Sequence, residues 1–106
     1  MPNFTSEIVF WVLANEINGL YDITGDYLAI SFYVDASNNK KFRIYEKFGA
    51  YAVENTESVW LGYEQETPYY LTIIRKSSTL LVYVYRKERK HHEDLIEIIA
   101  RPLYGI

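Results

Sequence analysis

Glu64 and Glu66, two positions apart in "YEQETPYY", are the first residues of this chain whose types could do chemistry. On a strand they would share a face, and paired carboxylates at such a spacing can serve glycoside hydrolysis. The plainer expectation is a solvated strand end. His91 and His92 carry metal-ligating rings, but adjacent side chains point to opposite faces of a strand and diverge by roughly 100° on a helix. Both therefore cannot hold one ion; either would need a distant acid. No Ser/His/Asp arrangement, phosphate-cradling glycine loop or cofactor fingerprint is present. The expectation is a non-enzymatic chain with no cofactor and no metal.

The remaining chemistry is that of contact. "RKERKHH" at residues 86–92 places Arg86, Lys87, Arg89 and Lys90 together, with Arg75 and Lys76 in a neighbouring turn. A solvated loop is the ordinary reading of such a run; docking onto an acidic partner, a polyanionic glycan or a second subunit is the functional one. In "STLLVYVYR" the residues Leu80, Val82 and Val84 make a core stripe, so Leu81, Tyr83 and Tyr85 occupy the opposite face. In the preceding strand one phase holds Tyr69, Leu71 and Ile73 and the other Tyr70, Thr72 and Ile74; the pattern does not decide which is inside. Either way an apolar stripe is left outward. It calls for a covering loop or C-terminal segment, another protein subunit, or sugar rings stacked on its aromatics.

The elements that position these residues are strands. Runs rich in Val, Ile, Tyr and Phe alternate with turn-prone residues, the pattern of an all-β sandwich or barrel, and about seven strands are expected. "FTSEIVFWVLA" opens the chain, and "NEINGLYDITGD" after it is polar and turn-rich. "YLAISFYVD" places Leu28, Ile30, Phe32 and Val34 on one face, with Ala29, Ser31, Asp35, Tyr27 and Tyr33 on the other. "ASNNKK" predicts a turn, "KFRIYEKFGAYAVE" an antiparallel return with a break at Gly49, and "SVWLGYE" a short strand with Val59, Leu61 and Tyr63 in one phase. Pro68 stands at the start of the 69–87 hairpin, where a missing N–H is harmless. In "EDLIEIIARPLYGI", Leu95, Ile98 and Ile99 fit a helical face while "LIEIIA" also fits a strand, which its β-branched content favours.

Composition sets the bounds. A chain of 106 residues is expected to be one domain, residues 1–106, with one core. Aromatics reach 17%, and eleven of them are tyrosines, residues suited to half-buried sheet faces and to contact surfaces. With no cysteine, neither disulfides nor thiolate metal sites hold the fold, and the redox compartment stays unread. A formal charge of −3 argues against nucleic acid as a partner. The opening residues lack the basic start of a signal peptide, and their apolar run is too short to span a bilayer, so neither export by a standard signal nor membrane insertion is expected. The triplet "NFT" at Asn3 matches a glycosylation acceptor, which matters only in a secreted chain.

At "TPYYLTIIRKSSTLLVYVYRK", followed by "DLIE", the chain resembles the late strands of concanavalin A-like lectin/glucanase (LamG-type) jelly rolls. "FTSEIVFWVLA" and "DYLAISFYVD" with "KKFRIYE" are similar to the strands before them, and the likeness covers about four-fifths of the chain. The resemblance implies an antiparallel two-sheet sandwich that binds glycans or serves as an adhesion or particle-surface module. Glucanases of that fold carry their acids in an E-x-D-x-x-E run, and "YEQETPYY" has neither the central Asp nor the third acid. Members are usually longer, so the likeness also implies missing edge strands and a neighbouring copy that completes a sheet. The expected function is a surface-contact module, a structural or decoration component of a virion or cell-surface layer, with other protein subunits as partners. The alternative is a lectin-like domain using Tyr83, Tyr85 and Trp60 as stacking platforms, with Arg75 or Asp35 orienting sugar hydroxyls.

Overall fold

The structure, a computed structural model, describes residues 5–14, 25–50 and 52–104. The "NEINGLYDITGD" turn region, apart from its last two residues, and the Asn3 triplet lie outside the described residues. The described residues form seven strands: β1 (Ser6–Ala14), β2 (Tyr27–Val34), β3 (Lys40–Lys47), β4 (Glu54–Glu57), β5 (Tyr70–Lys76), β6 (Thr79–Tyr85) and β7 (Leu95–Pro102). They make two antiparallel sheets, β1-β2-β3-β4 and β5-β6-β7, the all-β two-sheet sandwich that the alternating pattern predicts. Each sheet is a meander in chain order, and the chain crosses between them once, over residues 58–69. A jelly roll would instead interleave its strands through two Greek keys.

Turn chemistry sets the registers. Asp35 Oδ1 accepts the backbone N–H of Ser37 and of Asn39, both at 2.9 Å, and Asn38 takes the left-handed conformation (φ 65°) that Asn tolerates. The chain thus returns as β3, pairing Val34 with Lys40 and Tyr27 with Lys47. β3 ends two residues before Gly49 (φ 57°), the break that the sequence predicts there. In the second sheet Lys76 pairs with Thr79 across Ser77 and Ser78, which seats Leu71 opposite Val84 and Ile73 opposite Val82. Leu71 and Ile73 therefore face the core, and Tyr70, Thr72 and Ile74 face outward. The C-terminal segment is a strand, preceded by one 3₁₀ turn at His92–Asp94.

The core joins Leu28, Ile30, Phe42 and Ile44 of the first sheet to Leu80, Val82, Val84 and Ile99 of the second. Each such side chain contributes about 1.5–3 kcal/mol on burial. Phe42 is its aromatic hub, with Phe10, Phe32, Tyr63 and Tyr69 meeting it edge to face. At one end of the sandwich the same inward phases carry charge. Glu46 of β3, 1% exposed, receives Arg101 of β7 through Nη2 at 3.0 Å and Nε at 3.3 Å. Arg101 Nη1 donates to Thr56 Oγ1 at 3.2 Å, and the backbone N–H of Tyr104 donates to Glu46 Oε2 at 2.6 Å. A charge buried this deeply persists only when paired and hydrogen-bonded, and here the pair ties one sheet to the other.

One expected strand is not formed. "SVWLGYE" is a loop, with Val59 80% and Leu61 83% exposed and Tyr63 2% exposed, while the fourth strand lies just before it at Glu54–Glu57. The reason is in the hydrogen bonds. Ser58 closes the edge of β3, its N–H donating to Phe42 O and its Oγ accepting the Phe42 N–H, both at 2.9 Å. The next two N–H groups, of Val59 and Trp60, donate to the carboxylate of Glu97 at 3.1 and 3.2 Å. With a side chain taking these donors, a strand ladder has nothing to pair with.

Candidate functional site

The outer face of the second sheet brings Leu81, Tyr83 and Tyr85 of β6 together with Tyr70, Thr72 and Ile74 of β5 and with Ile98 and Ala100 of β7. The Tyr83 and Tyr85 rings stand nearly parallel, 12° apart in plane with centroids 6.5 Å apart. Tyr70 is the cross-strand neighbour of Tyr85, and Ile98 that of Tyr83. Across these three strands the outward positions carry one charge, Lys76 at the hairpin end. A sheet face facing bulk water usually alternates with polar residues; this one presents phenols and aliphatics.

Trp60 and Arg75 do not join that face. Trp60 packs edge-on against Tyr63 at 4.8 Å, and the Arg86 guanidinium lies over its ring at 4.9 Å. The Gly62 backbone approaches the same indole so closely that a Cβ there would sit 2.3 Å from Trp60 Cζ2. The indole is thus a wedged part of the 58–63 loop, with one ring face taken by a cation. Arg75 lies in the inward phase of β5, opposite Leu80, and reaches solvent at the strand end, its Nε donating to Ser77 O at 3.3 Å. Asp35 lies in the turn between β2 and β3, in the other half of the sandwich, where the Asn39 and Ser37 amides hold its carboxyl below the usual carboxylate range.

Glu97 anchors the loop. Besides the two amides it accepts the Tyr63 hydroxyl at 2.7 Å, and burial together with that bond pushes the Tyr63 hydroxyl well above the ordinary phenol range. Next to it, residues 86–94 are braced from within. Arg89 meets Asp94 at 2.7 Å and Glu93 at 2.9 Å, and the Arg89 hydrogen bond holds the Asp94 carboxyl low. Lys90 Nζ donates to Leu71 O at 2.7 Å. Of the four clustered cations, Arg89 is spent on internal acids and Lys90 on a carbonyl. Arg86 lies on Trp60, and Lys87 makes no ion pair among the described residues.

The acids singled out by spacing are not on a strand. Glu64 and Glu66 are exposed in a turn, with Glu66 at φ 60° and the Glu64 N–H donating to Tyr69 OH at 2.8 Å. His91 comes within 4.8 Å of Glu93 and Asp94, without His92, and those acids already meet Arg89.

Two features escaped the sequence reading. One is a cleft of about 400 Å³ between the sheets, walled by Ile8, Phe10, Phe32, Phe42, Tyr69 and Leu71 and rimmed by residues 64–67. Its signal was the run "IVFWVLA", apolar in both phases, which no single buried face requires. The other is a polar chain across the outer face of the first sheet. Glu7 accepts the hydroxyls of Ser31, at 2.6 Å, and of Tyr45; Arg43 donates to Tyr45 and Glu57 and lies over Tyr33 at 3.6 Å. Burial pushes the Glu57 carboxyl up, and the bonds and charges of Arg43 and Lys41 outweigh it, leaving it low. Each member is partnered within the chain, so this network braces four strands. The chain matches no family model, no curated protein and no solved structure.

Proposed function

We propose that this chain is a non-enzymatic surface-contact module, a structural or decoration component of a larger assembly such as a virion or cell-surface layer. Its partners on this reading are other protein subunits, and its contact surface is the outer face of the β5-β6-β7 sheet. The observation that carries the proposal is the composition of that face: Tyr70, Leu81, Tyr83, Tyr85 and Ile98 side by side, with its single cation at the hairpin end. Tyrosines with fixed rings give much contact area for little lost rotamer freedom. Alanine at both Tyr83 and Tyr85 is expected to release the chain from its native assembly without unfolding it, checked by co-sedimentation with the particle. Retention of the double variant at the level of the unaltered chain counts against the module.

The near-parallel Tyr83 and Tyr85 rings favour a second reading, a lectin-like domain on which sugar rings stack. Trp60 and Arg75 play no part in it, since neither reaches that face. A glycan array decides: binding that Tyr83→Ala and Tyr85→Ala abolish supports it, and silence on every sugar removes it.

A further inference from the structure

The sandwich is closed along one side and open along the other. Of its four edge strands, β4 and β7 meet, Arg101 donating to Thr56 as well as to Glu46. The other two, β1 and β5, border the apolar cleft, with Ile8 and Phe10 on one wall and Leu71, preceded by Tyr69, on the other. Ile8 pairs with Phe32, which packs on the core, so Ile8 also points between the sheets, yet it is 70% exposed. Phe10, edge-on to Phe42 at 6.1 Å, is 46% exposed. Four aromatic rings thus line one opening: Phe10, Phe32, Phe42 and Tyr69. Its rim is tied to its wall. The Glu64 N–H donates to Tyr69 OH at 2.8 Å, and Tyr69 packs edge-on against Phe42 at 6.0 Å and Tyr63 at 5.1 Å. Among the described residues, Glu64 and Glu66 are the only charged side chains lining the cleft, and neither makes an ion pair. Arg86 shares a smaller depression with Glu64 but does not line the cleft, and Glu66 does not line that depression.

We infer that this cleft binds a small organic cation, an amine whose apolar body lies among the four rings and whose ammonium is held at the Glu64 and Glu66 rim. Size, walls and charge agree on that class. The volume of about 400 Å³ falls within the span of about 300–1,000 Å³ usual for small-molecule sites. Aromatic rings bury an apolar body, and their faces attract a cation through the ring quadrupole. The two carboxylates add charge complementarity: they draw an ammonium and repel an anion of the same shape. The inference goes beyond the contact-module reading and does not depend on it, since the cleft lies between the sheets and the tyrosine face on the outside of one.

Three matched probes, 4-phenylbutylamine, 4-phenylbutanol and 4-phenylbutyrate, test it by calorimetric titration and amide NMR shifts of the purified full chain. The amine should bind at one site, moving the Phe10, Phe42 and Leu71 signals and leaving those of Tyr83 and Tyr85 in place. It should bind at least about tenfold more tightly than the carboxylate, with the alcohol between them. Glu64→Gln with Glu66→Gln, at two exposed positions, should bring the amine down to the level of the alcohol. Ile8→Lys sets a competing ammonium on the wall and should abolish binding of the amine; the double glutamine variant carries the test should Ile8→Lys lose the native circular dichroism. The inference is overturned by an amine that does not bind, that binds no more tightly than the alcohol or the carboxylate, or that moves signals away from the cleft. Binding unchanged in the double glutamine variant also overturns it. So does a dimer that Ile8→Lys dissociates, because the cleft then holds a second copy of the chain.

Discussion

Glu46 shows what one residue can hide from a pattern. At an inward position of β3, after Phe42 and Ile44, a carboxylate reads as a strand end turning to water; in the fold it is buried against Arg101, 55 positions later. Nothing local in "KFRIYEK" announces a partner so distant. Glu46→Ala is expected to cost about 3–5 kcal/mol in urea unfolding, because Arg101 is left charged and unpaired. Replacing both by leucine should be much less damaging, since the desolvation of both ions is then avoided. Titratable residues set the pH limits. Asp35, Glu57 and Asp94 sit below their ordinary values of 3.8, 4.5 and 3.8, so the unfolded chain binds more protons than the folded one in acid. Their contribution is full above those values and is lost as the pH falls through the lower folded ones. Tyr63 acts at the other end: its raised hydroxyl lends stability below pH 10.0, lost progressively as the pH rises beyond it. Thermal unfolding across pH should show both limbs, and Tyr63→Phe should flatten the alkaline one. Gly62→Ala should displace the Trp60 ring, at a cost of about 1–3 kcal/mol, read as a change in tryptophan fluorescence.

At the scale of elements the strands were legible wherever alternation met turn chemistry. Leu28, Ile30 and Phe32 declared the inner face of β2, and Leu80, Val82 and Val84 that of β6, because a period of two has only two faces to offer. The hairpin's first strand was ambiguous since both of its phases are apolar, and only the register across Ser77 and Ser78 resolves it. "SVWLGYE" misled for a different reason: its residue types suit a strand, but Glu97 from another sheet captures the N–H groups a neighbour would need. The contrast between the two faces of β6 is itself a prediction. Leu80→Ala should cost about 2–5 kcal/mol by leaving a core cavity, whereas Leu81→Ala, one position on and facing outward, should cost less. Equilibrium denaturation of the two variants makes the comparison directly.

At the scale of the whole molecule, the described residues make two short meanders laid face to face, joined by a central aromatic and aliphatic core and by the buried Glu46–Arg101 pair. The composition of the tyrosine face was readable in advance, since period two forces Leu81, Tyr83 and Tyr85 outward once their neighbours are core. The cleft between the sheets was not, because it depends on how the two sheets meet and on the crossing over residues 58–69. The tyrosine face places apolar side chains where a solitary sandwich would present polar ones, and the contact role proposed above rests on it. Hydroxyl-radical footprinting of Tyr83 and Tyr85, in the isolated chain and in its native assembly, tests this most directly. Both rings are expected to label strongly when the chain is alone and to be markedly protected in the assembly; equal labelling in the two states overturns the contact role.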